Sequence, residues 1–288
     1  MSNKIIKSCM ALAVSFMLLT ATVLADPAQS SVDWEKGIVR ATGLAAGNAK
    51  TKNKGLQRAQ AKRAARMDAE RNLAEAVEGV QVDSESTMKD LMLESDIVRT
   101  RVSATIKGMS EVDSRYYDDG TAEVTLEMPL FGTSKSVAEA AFAPVQNEVK
   151  EPFPQPTNSS IKVDVEVNTT VGGVVGNKYT GLVVDCSGMG LEAVMSPVVK
   201  NNNNQPIYGY KNLDIDKVID MGMASYATSA NDATSRSRAG NNPLVVKAVK
   251  VDGIIKGNPV VSVADADKIL IANQSDQFLD NCAVVFVK

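Results

Sequence analysis

The chain has 288 residues with 31 lysines and arginines, 34 aspartates and glutamates, a formal net charge of −3, no histidine and 44% hydrophobic residues. This composition is typical of a globular protein and excludes the disordered and collagen-like classes. Because histidine is absent, Ser-His-Asp triads, Cys-His dyads and His-ligated zinc are excluded, whereas carboxylate and lysine chemistry stay open.

The first 25 residues have the layout of a secretory signal peptide. Lys4 and Lys7 form a short basic region, residues 10–24 are mainly apolar, and Ala25 precedes Asp26. The apolar run of about 15 residues is shorter than the roughly 20 that span a bilayer, although an uncleaved anchor is the alternative. We expect cleavage near Ala25, a periplasmic or secreted location, no transmembrane span in the mature chain, and no nucleic-acid partner for a mildly acidic protein.

The mature chain would keep Cys186 and Cys282. Two cysteines in an oxidising compartment predict a disulfide, which would close a long loop worth roughly 4–5 kcal/mol in the chain-entropy model. Two buried free thiols are the alternative.

A proline-rich stretch at residues 144–160 divides the mature chain into an N-terminal domain, residues 26–143, and a C-terminal domain, residues 161–288. Its core, EPFPQPTNSS at residues 151–160, has prolines at alternate positions and predicts an extended, fairly stiff linker. We predict an α+β fold: two small mixed α/β domains, each a sheet packed by helices.

The longest helical pattern covers residues 53–78 and follows a predicted strand at residues 37–47. Small apolar residues recur every four positions and predict a buried stripe along this helix. The stripe consists of Ala61, Ala65, Ala69 and Leu73. We expect Gly79 to end the helix.

Basic side chains surround the start of the same helix. They are Lys54, Arg58, Lys62, Arg63 and Arg66. Such a surface could contact an acidic partner or anionic lipid head groups. A solvated helix face with ion pairs four residues apart is the simpler interpretation.

Three further patterns follow in this domain. Residues 96–107 fit either a short helix or a strand. An Asp-Asp-Gly turn at residues 118–120, between β-prone runs at 112–117 and 121–130, predicts a hairpin because the turn requires a positive φ. Ser134 is the expected N-cap of a short closing helix.

The C-terminal domain is predicted to alternate strands with short helices. Strands are expected at residues 161–167, 180–185, 194–200, 206–210, 244–251, 259–263 and 283–287. Helices are expected at residues 214–221, with Asp214 as N-cap, and at residues 264–273.

Two motifs here have a chemical and a structural interpretation. The glycine-rich residues 183–190 resemble a phosphate cradle, but no helical pattern follows the glycines. Asp214, Asp216 and Asp220 suggest calcium, but the spacing is not that of an EF-hand and an N-cap explains Asp214. We favour the structural interpretation of both and predict no metal, no cofactor and no catalytic residue.

Two stretches of the N-terminal domain resemble a bacterial envelope family. They read AKRAARMDAERNLAEAVEGVQVDSES and IKGMSEVDSRYYDDGTAEVTLEMPL. The family is the LPP-twenty family of outer-membrane-associated lipoproteins, to which the N-terminal domain of the flagellar-assembly T protein also belongs. The resemblance implies a non-catalytic envelope or assembly role. Its lipoprotein members carry a lipid-modified cysteine after the signal, where this chain has Asp26. Residues 179–197 and 266–287 resemble a domain that often follows this one in secreted proteins.

The leading hypothesis is therefore a non-catalytic envelope protein that binds envelope or outer-membrane proteins, or a flagellar or surface assembly, and that could form a homo-oligomer. The second is a small-ligand or glycan-binding module whose stacking rings would have to share one cleft. Those rings are Trp34, Tyr208, Tyr210 and Tyr226. The third is a histidine-free hydrolase, which requires two carboxylates about 5–10 Å apart in a pocket.

Overall fold

A computed structural model describes residues 30–145, 148–158, 178–235 and 238–288 of the protein. The predicted signal peptide and the predicted strand at residues 161–167 lie outside these ranges. Within them, no helix is both long and apolar enough to cross a membrane. The described chain has the predicted α+β composition, with helices packed on sheets.

The N-terminal half forms one antiparallel sheet covered by helices. Its elements are β1 (Ser30–Asp33), β2 (Ile38–Ala46), α1 (Lys54–Glu78), α2 (Met88–Glu94), α3 (Asp96–Lys107), β3 (Glu111–Tyr116), β4 (Thr121–Pro129) and α4 (Val137–Phe142). The strand order is β1-β2-β4-β3, so β1 and β3 lie at the edges. The predicted β2 strand and the β3–β4 hairpin are confirmed, with Gly120 at a φ of +88° in the turn.

Helix α1 begins where the sequence predicts. The Asn53 side chain accepts hydrogen bonds from the N–H groups of Gly55 and Leu56, at 2.9 and 3.1 Å, and so caps the helix. The predicted alanine stripe is confirmed, because all four of its members, including Leu73, are fully buried against the sheet. Small side chains on this face allow the helix to approach the strands closely.

The closest approach occurs at Gly43 in the middle of β2. A Cβ atom on Gly43 would lie 2.1 Å from the Ala69 nitrogen and 2.2 Å from the Ala65 carbonyl oxygen. Next to this contact, the buried Asn72 amide donates to the Thr42 carbonyl oxygen at 2.8 Å. The helix backbone therefore rests directly on the strand backbone, and only glycine fits at position 43.

The structure decides two expectations that the sequence left open or misplaced. Residues 96–107 form a helix, since Val98, Val102 and Ile106 recur every four residues and are all buried. The expected cap Ser134 is wrong: α4 begins after Ser136, whose hydroxyl accepts the N–H of Glu139 at 3.0 Å.

The C-terminal half contains two further sheets. Its elements are β5 (Gly181–Asp185), β6 (Val199–Asn201), β7 (Pro206–Tyr208), α5 (Ile215–Met221), β8 (Ser225–Ala227), α6 (Ala230–Ser235), β9 (Pro243–Lys247), β10 (Lys250–Asp252), β11 (Asn258–Val261), α7 (Val263–Asp276) and β12 (Val284–Val287). One sheet is parallel throughout, in the order β8-β12-β5-β9, and the other is mixed, in the order β10-β11-β6-β7.

The single strand predicted at residues 244–251 is two strands in the structure. β9 pairs with β5 in the parallel sheet, whereas β10 pairs with β11 in the mixed sheet. Ala248 and Val249 lie between them and donate their N–H groups to Asp185 and Val260, one to each sheet. One predicted strand therefore contributes a strand to each of the two sheets.

The two halves of the chain share a hydrophobic core and are joined by backbone hydrogen bonds. Met195 and Ser196 donate to the carbonyl oxygens of Gln81 and Val82, at 3.0 and 2.7 Å. Beside them the amide of Asn258 donates to the hydroxyl of Ser84, and both side chains are buried. Because these contacts are buried, the segment after α1 holds the mixed sheet of the C-terminal half directly.

The proline-rich stretch lies along the C-terminal half, where residues 148–158 are described. Glu151 donates its N–H to the Lys211 carbonyl oxygen at 2.7 Å, and Lys150 pairs with Asp280 at 2.7 Å. At the other end, the N–H groups of Thr157 and Asn158 both donate to the buried carboxylate of Asp267. The stretch that the sequence predicts to be a stiff spacer is thus bound to the C-terminal half near both ends of its described part.

The contact at Gly43 predicts a large effect of adding one methyl group. We expect Gly43→Ala to lower the free energy of unfolding by about 3 kcal/mol, because the methyl would overlap backbone atoms of α1 that cannot rotate away. Urea unfolding followed by circular dichroism measures this change.

Gly209→Ala is the matched control. A Cβ at Gly209 would meet its nearest neighbour at an ordinary 3.8 Å and the backbone there is extended, so the variant should unfold close to the parent. Equal unfolding midpoints for the two variants would contradict the close helix–strand contact.

Candidate functional site

Four of the five predicted surface residues form one row along α1. Lys54, Arg58, Lys62 and Arg66 are spaced by four residues, which places them on one side of a helix. The buried stripe fixes the rotation of α1 on the sheet, and this rotation turns the row toward the edge strand β3. Arg63 follows Lys62 and therefore lies on an adjacent side of the helix. We call these four residues together with Arg63 the basic row.

The contacts of the basic row run along the whole of β3. At the beginning of the strand, Lys62 and Arg66 reach the Glu111 carboxylate at 2.7 and 3.4 Å, and Arg66 also donates to the Met109 carbonyl oxygen at 2.7 Å. At its end, the Arg58 guanidinium lies 5.8 Å from the centre of the Tyr116 ring. The helix therefore passes its cations beside the strand from one end to the other.

Glu111 is the partner that the sequence did not reveal. Its hydrogen bond with Lys62 lowers the pKa of the Glu111 carboxyl and raises the pKa of the Lys62 ammonium, so both stay charged across the ordinary pH range. A β-bulge between Glu111 and Asp113 shifts the alternation of β3, so Glu111 and Tyr116 both lie opposite buried residues of β4, on the helix side of the sheet. No sequence pattern states this bulge or which strand lies beside α1.

The remaining cations of the basic row face solvent. Lys54, Arg58 and Arg63 are exposed, and among the described residues no carboxylate lies within ion-pair distance of them. The structure thus divides the predicted surface into two residues with carboxylate partners and three exposed residues without one among the described residues.

The neighbouring strand β3 is open along its outer edge. It pairs with β4 and with no other described strand, and every residue after Glu111 is exposed. In antiparallel pairs, residues alternate between bonding the partner strand and pointing their N–H and C=O groups away. Since Tyr117 donates to the Thr121 carbonyl oxygen at 2.9 Å, it is Ser114 and Tyr116 whose backbone groups point to the open edge.

A cavity of about 540 Å³ lies where the β1–β2 turn meets the parallel sheet. Trp34 from the turn and Tyr226 from β8 form an edge-to-face pair with ring centres 6.1 Å apart. The Tyr226 hydroxyl donates to the Val194 carbonyl oxygen and accepts the Val194 N–H, and burial raises the pKa of this phenol. Tyr226 is therefore a packed wall residue, and Trp34 is the ring that borders the opening.

Polar side chains of the cavity are engaged within the chain. Arg238 donates to the carbonyl oxygens of Met221, Gly222 and Cys282 and so caps the end of α5, while burial lowers the pKa of its guanidinium. Asp232 accepts the Ser229 hydroxyl at 2.6 Å at the start of α6. Glu35 and Lys288 complete the charged lining.

The four aromatic residues proposed for a ligand cleft do not share one. Tyr208 is fully buried and donates its hydroxyl to the Met223 carbonyl oxygen at 2.6 Å. Tyr210 borders a different cavity, of about 480 Å³, beside Pro152 and Pro154. Of the four, Trp34 and Tyr226 come together.

The predicted disulfide between Cys186 and Cys282 is wrong, because both are free and buried. Cys186 follows the carboxyl end of β5, whereas Cys282 precedes the amino end of β12, and these strands are parallel with Leu182 opposite Val284. The two cysteines therefore lie at opposite ends of the sheet, at least four residue rises or about 13 Å apart. A disulfide requires Cα atoms within about 7 Å.

The carboxylates noted in the sequence have structural roles. Asp119 accepts the Thr121 N–H in the hairpin, and Asp214 accepts the Asp216 N–H as the predicted cap of α5. Asp185 accepts the Ser187 N–H in a turn completed by Gly188 and Gly190, both at positive φ. Among the described residues, no three Cys, Asp or Glu side chains converge as metal ligands.

Comparison with known proteins bears on the C-terminal half. Residues 181–288 match the family model of the second domain of the Treponema pallidum protein Tp0624. The match begins at the first residue of β5, so it includes both C-terminal sheets and α7, and it covers less than half of the chain. This half is thus similar to that domain. No curated protein matches the chain.

The placement of the cysteines predicts two unreactive thiols. Burial raises the pKa of Cys186 to about 12 and also raises that of Cys282, so little thiolate exists at pH 8. We expect iodoacetamide to leave both unmodified in the native protein at pH 8 and to alkylate both in guanidinium chloride, as measured by intact mass. A native mass 2 Da below that of the dithiol, restored by reduction, would contradict this placement.

Proposed function

We propose that this protein is a non-catalytic interaction or assembly protein of the bacterial cell envelope. It binds a protein partner through the surface formed by the basic row and the open edge of β3. The observation that carries the proposal is that Arg58, exposed and without a carboxylate partner among the described residues, lies beside a strand that has no second partner strand in the described chain. Lys54 and Arg63 are exposed on the same helix and also lack a carboxylate partner there.

Two features of the sequence support the envelope location. Residues 1–25 have the layout of a signal peptide, and the helix and hairpin resemble the LPP-twenty family. That resemblance includes the flagellar-assembly T protein, which favours a flagellar or surface structure as the assembly.

A non-catalytic role agrees with how the polar groups are used. The buried thiols have raised pKa values, Arg238 holds the end of a helix, and Asp232 holds a turn. Groups committed to structure in this way are poor nucleophiles and general bases.

Reversing the free charges of the basic row tests the proposal. We expect Arg58→Glu with Arg63→Glu to reduce the recovery of cross-linked envelope proteins about tenfold, since each lost contact with an acidic group costs up to about 1 kcal/mol. The measurement is quantitative mass spectrometry after cross-linking in intact cells that carry the tagged full chain.

Lys89→Glu with Lys247→Glu is the control, because it makes the same charge change at two exposed lysines on other surfaces. Recovery of the same proteins by both double variants would count against the basic row. A protein that cross-links to no envelope component would count against the envelope role itself.

A second candidate function is small-ligand or glycan binding in the cavity at Trp34. The pairing of Trp34 with Tyr226 beside an opening of about 540 Å³ favours it, since sugar rings stack on exposed aromatic faces. The missing clustering of Tyr208 and Tyr210 makes this the weaker candidate.

Trp34 is the single tryptophan of the chain, so its fluorescence reports on this cavity alone. If a glycan binds there, N-acetylglucosamine trimer will change the emission saturably, and Thr228→Tyr, which fills the cavity, will remove the change. Ser103→Tyr, on the exposed side of α3, should leave the titration unaltered. An emission that does not change with the sugar would remove this candidate.

A further inference from the structure

We propose that the open edge of β3 accepts an extended, acidic segment of a partner protein as a fifth strand of the N-terminal sheet. This inference rests on the proposed function and names the chemistry of the partner. It combines two features of the same surface, unpaired strand backbone and unpaired positive charge.

The backbone of β3 offers a regular set of hydrogen-bonding groups. Ser114 and Tyr116 point their N–H and C=O groups outward, two residues apart, as a pairing strand requires. The strand is six residues long, which corresponds to about 20 Å of edge. Val112 and Tyr116 are 52% and 45% exposed and add apolar surface for the side chains of an added strand.

The charge beside this edge selects the partner. The basic row passes along β3 from Arg66 at its beginning to Arg58 at its end, so side chains on the helix side of an added strand would lie next to it. Glu111 pairs with Lys62 and Arg66, and Glu70 also pairs with Arg66 at 3.0 Å. Arg58, beside Tyr116, keeps no carboxylate partner among the described residues, and Lys54 and Arg63 add exposed positive charge on the same helix. Acidic side chains at alternate positions of the partner would pair with these cations.

The other side of β3 contributes little to this selection. There Asp113 and Arg115 pair with each other at 3.0 Å, so this side carries both signs of charge. Charges on an edge strand also discourage indiscriminate pairing, because a neutral or basic strand gains no compensating contact. The edge therefore favours an acidic partner strand over neutral or basic strands.

The test uses a capped octapeptide of alternating threonine and glutamate as the probe and the full chain as the receptor. We expect saturable binding by isothermal titration calorimetry that is about tenfold tighter than for the matching threonine–lysine peptide. Hydrogen exchange should show new protection at the amides of Ser114 and Tyr116. Equal affinity for both peptides, or protection elsewhere only, would overturn the proposal.

Two changes each remove backbone hydrogen bonds of the proposed strand pairing, one in the protein and one in the peptide. Ser114→Pro deletes an outward N–H while leaving the pairing with β4, and Ser114→Thr keeps the N–H as its control. N-methylation of either the odd-numbered or the even-numbered residues of the peptide removes the backbone N–H donors of those residues. It does not affect folding of the protein. We expect Ser114→Pro and the better-matched N-methylated register to weaken binding about tenfold or more, and unchanged binding in both cases would contradict strand addition.

Two further changes address the charges. Arg58→Glu with Arg63→Glu should weaken binding of the acidic peptide about tenfold, and Glu111→Gln should strengthen it about threefold by releasing Lys62, while Arg66 keeps its ion pair with Glu70. A weaker interaction after Glu111→Gln would overturn the role given to the row.

The remaining outcomes separate this inference from the proposed function. Binding to phosphatidylglycerol vesicles without binding of the peptide would indicate a lipid surface, and a dimer that Ser114→Pro dissociates would indicate a second copy; either overturns the acidic partner. Cross-linked partners that survive Ser114→Pro would leave the interaction function standing and refute strand addition. A chain without cross-linked partners that nevertheless binds the peptide would refute the function and keep the edge chemistry.

Discussion

The contact between Gly43 and helix α1 is the constraint on which the N-terminal half depends. Because no side chain separates the strand from the helix at this point, the distance and rotation of α1 on the sheet are both determined there. The alanine stripe then faces the sheet, and the residues one position further along the helix face β3. The basic row thus owes its place beside the edge strand to a glycine and two alanines that it never touches.

The junction between the two halves determines where the cavity at Trp34 lies. Backbone bonds from Met195 and Ser196 to the segment after α1, with the buried Ser84–Asn258 pair, join the mixed sheet to the N-terminal half. The β1–β2 turn consequently meets the parallel sheet, where Trp34 packs on Tyr226 and a cavity remains. The proline-rich stretch adds further hydrogen bonds and an ion pair along the C-terminal half. Neither surface depends on movement between the halves.

The two surfaces suit different kinds of binding. The edge of β3 presents backbone groups and charge over an extended length, which matches a polypeptide, whereas the cavity presents one exposed ring and few polar groups that are not already engaged. This contrast favours the protein-interaction role.

The sequence by itself determined the elements whose signal is local. The alanine stripe, the Asn53-capped helix, the Asp-Asp-Gly hairpin and the Asp214 cap each depend on residues within a few positions of one another, and each is present. The tertiary structure alone decided which elements meet. It separated Cys186 from Cys282 by the direction of two parallel strands, divided one predicted strand between two sheets, and brought Glu111 beside Lys62. Those outcomes depend on strand order and register, which arise from packing between distant segments and leave no periodic pattern in either one.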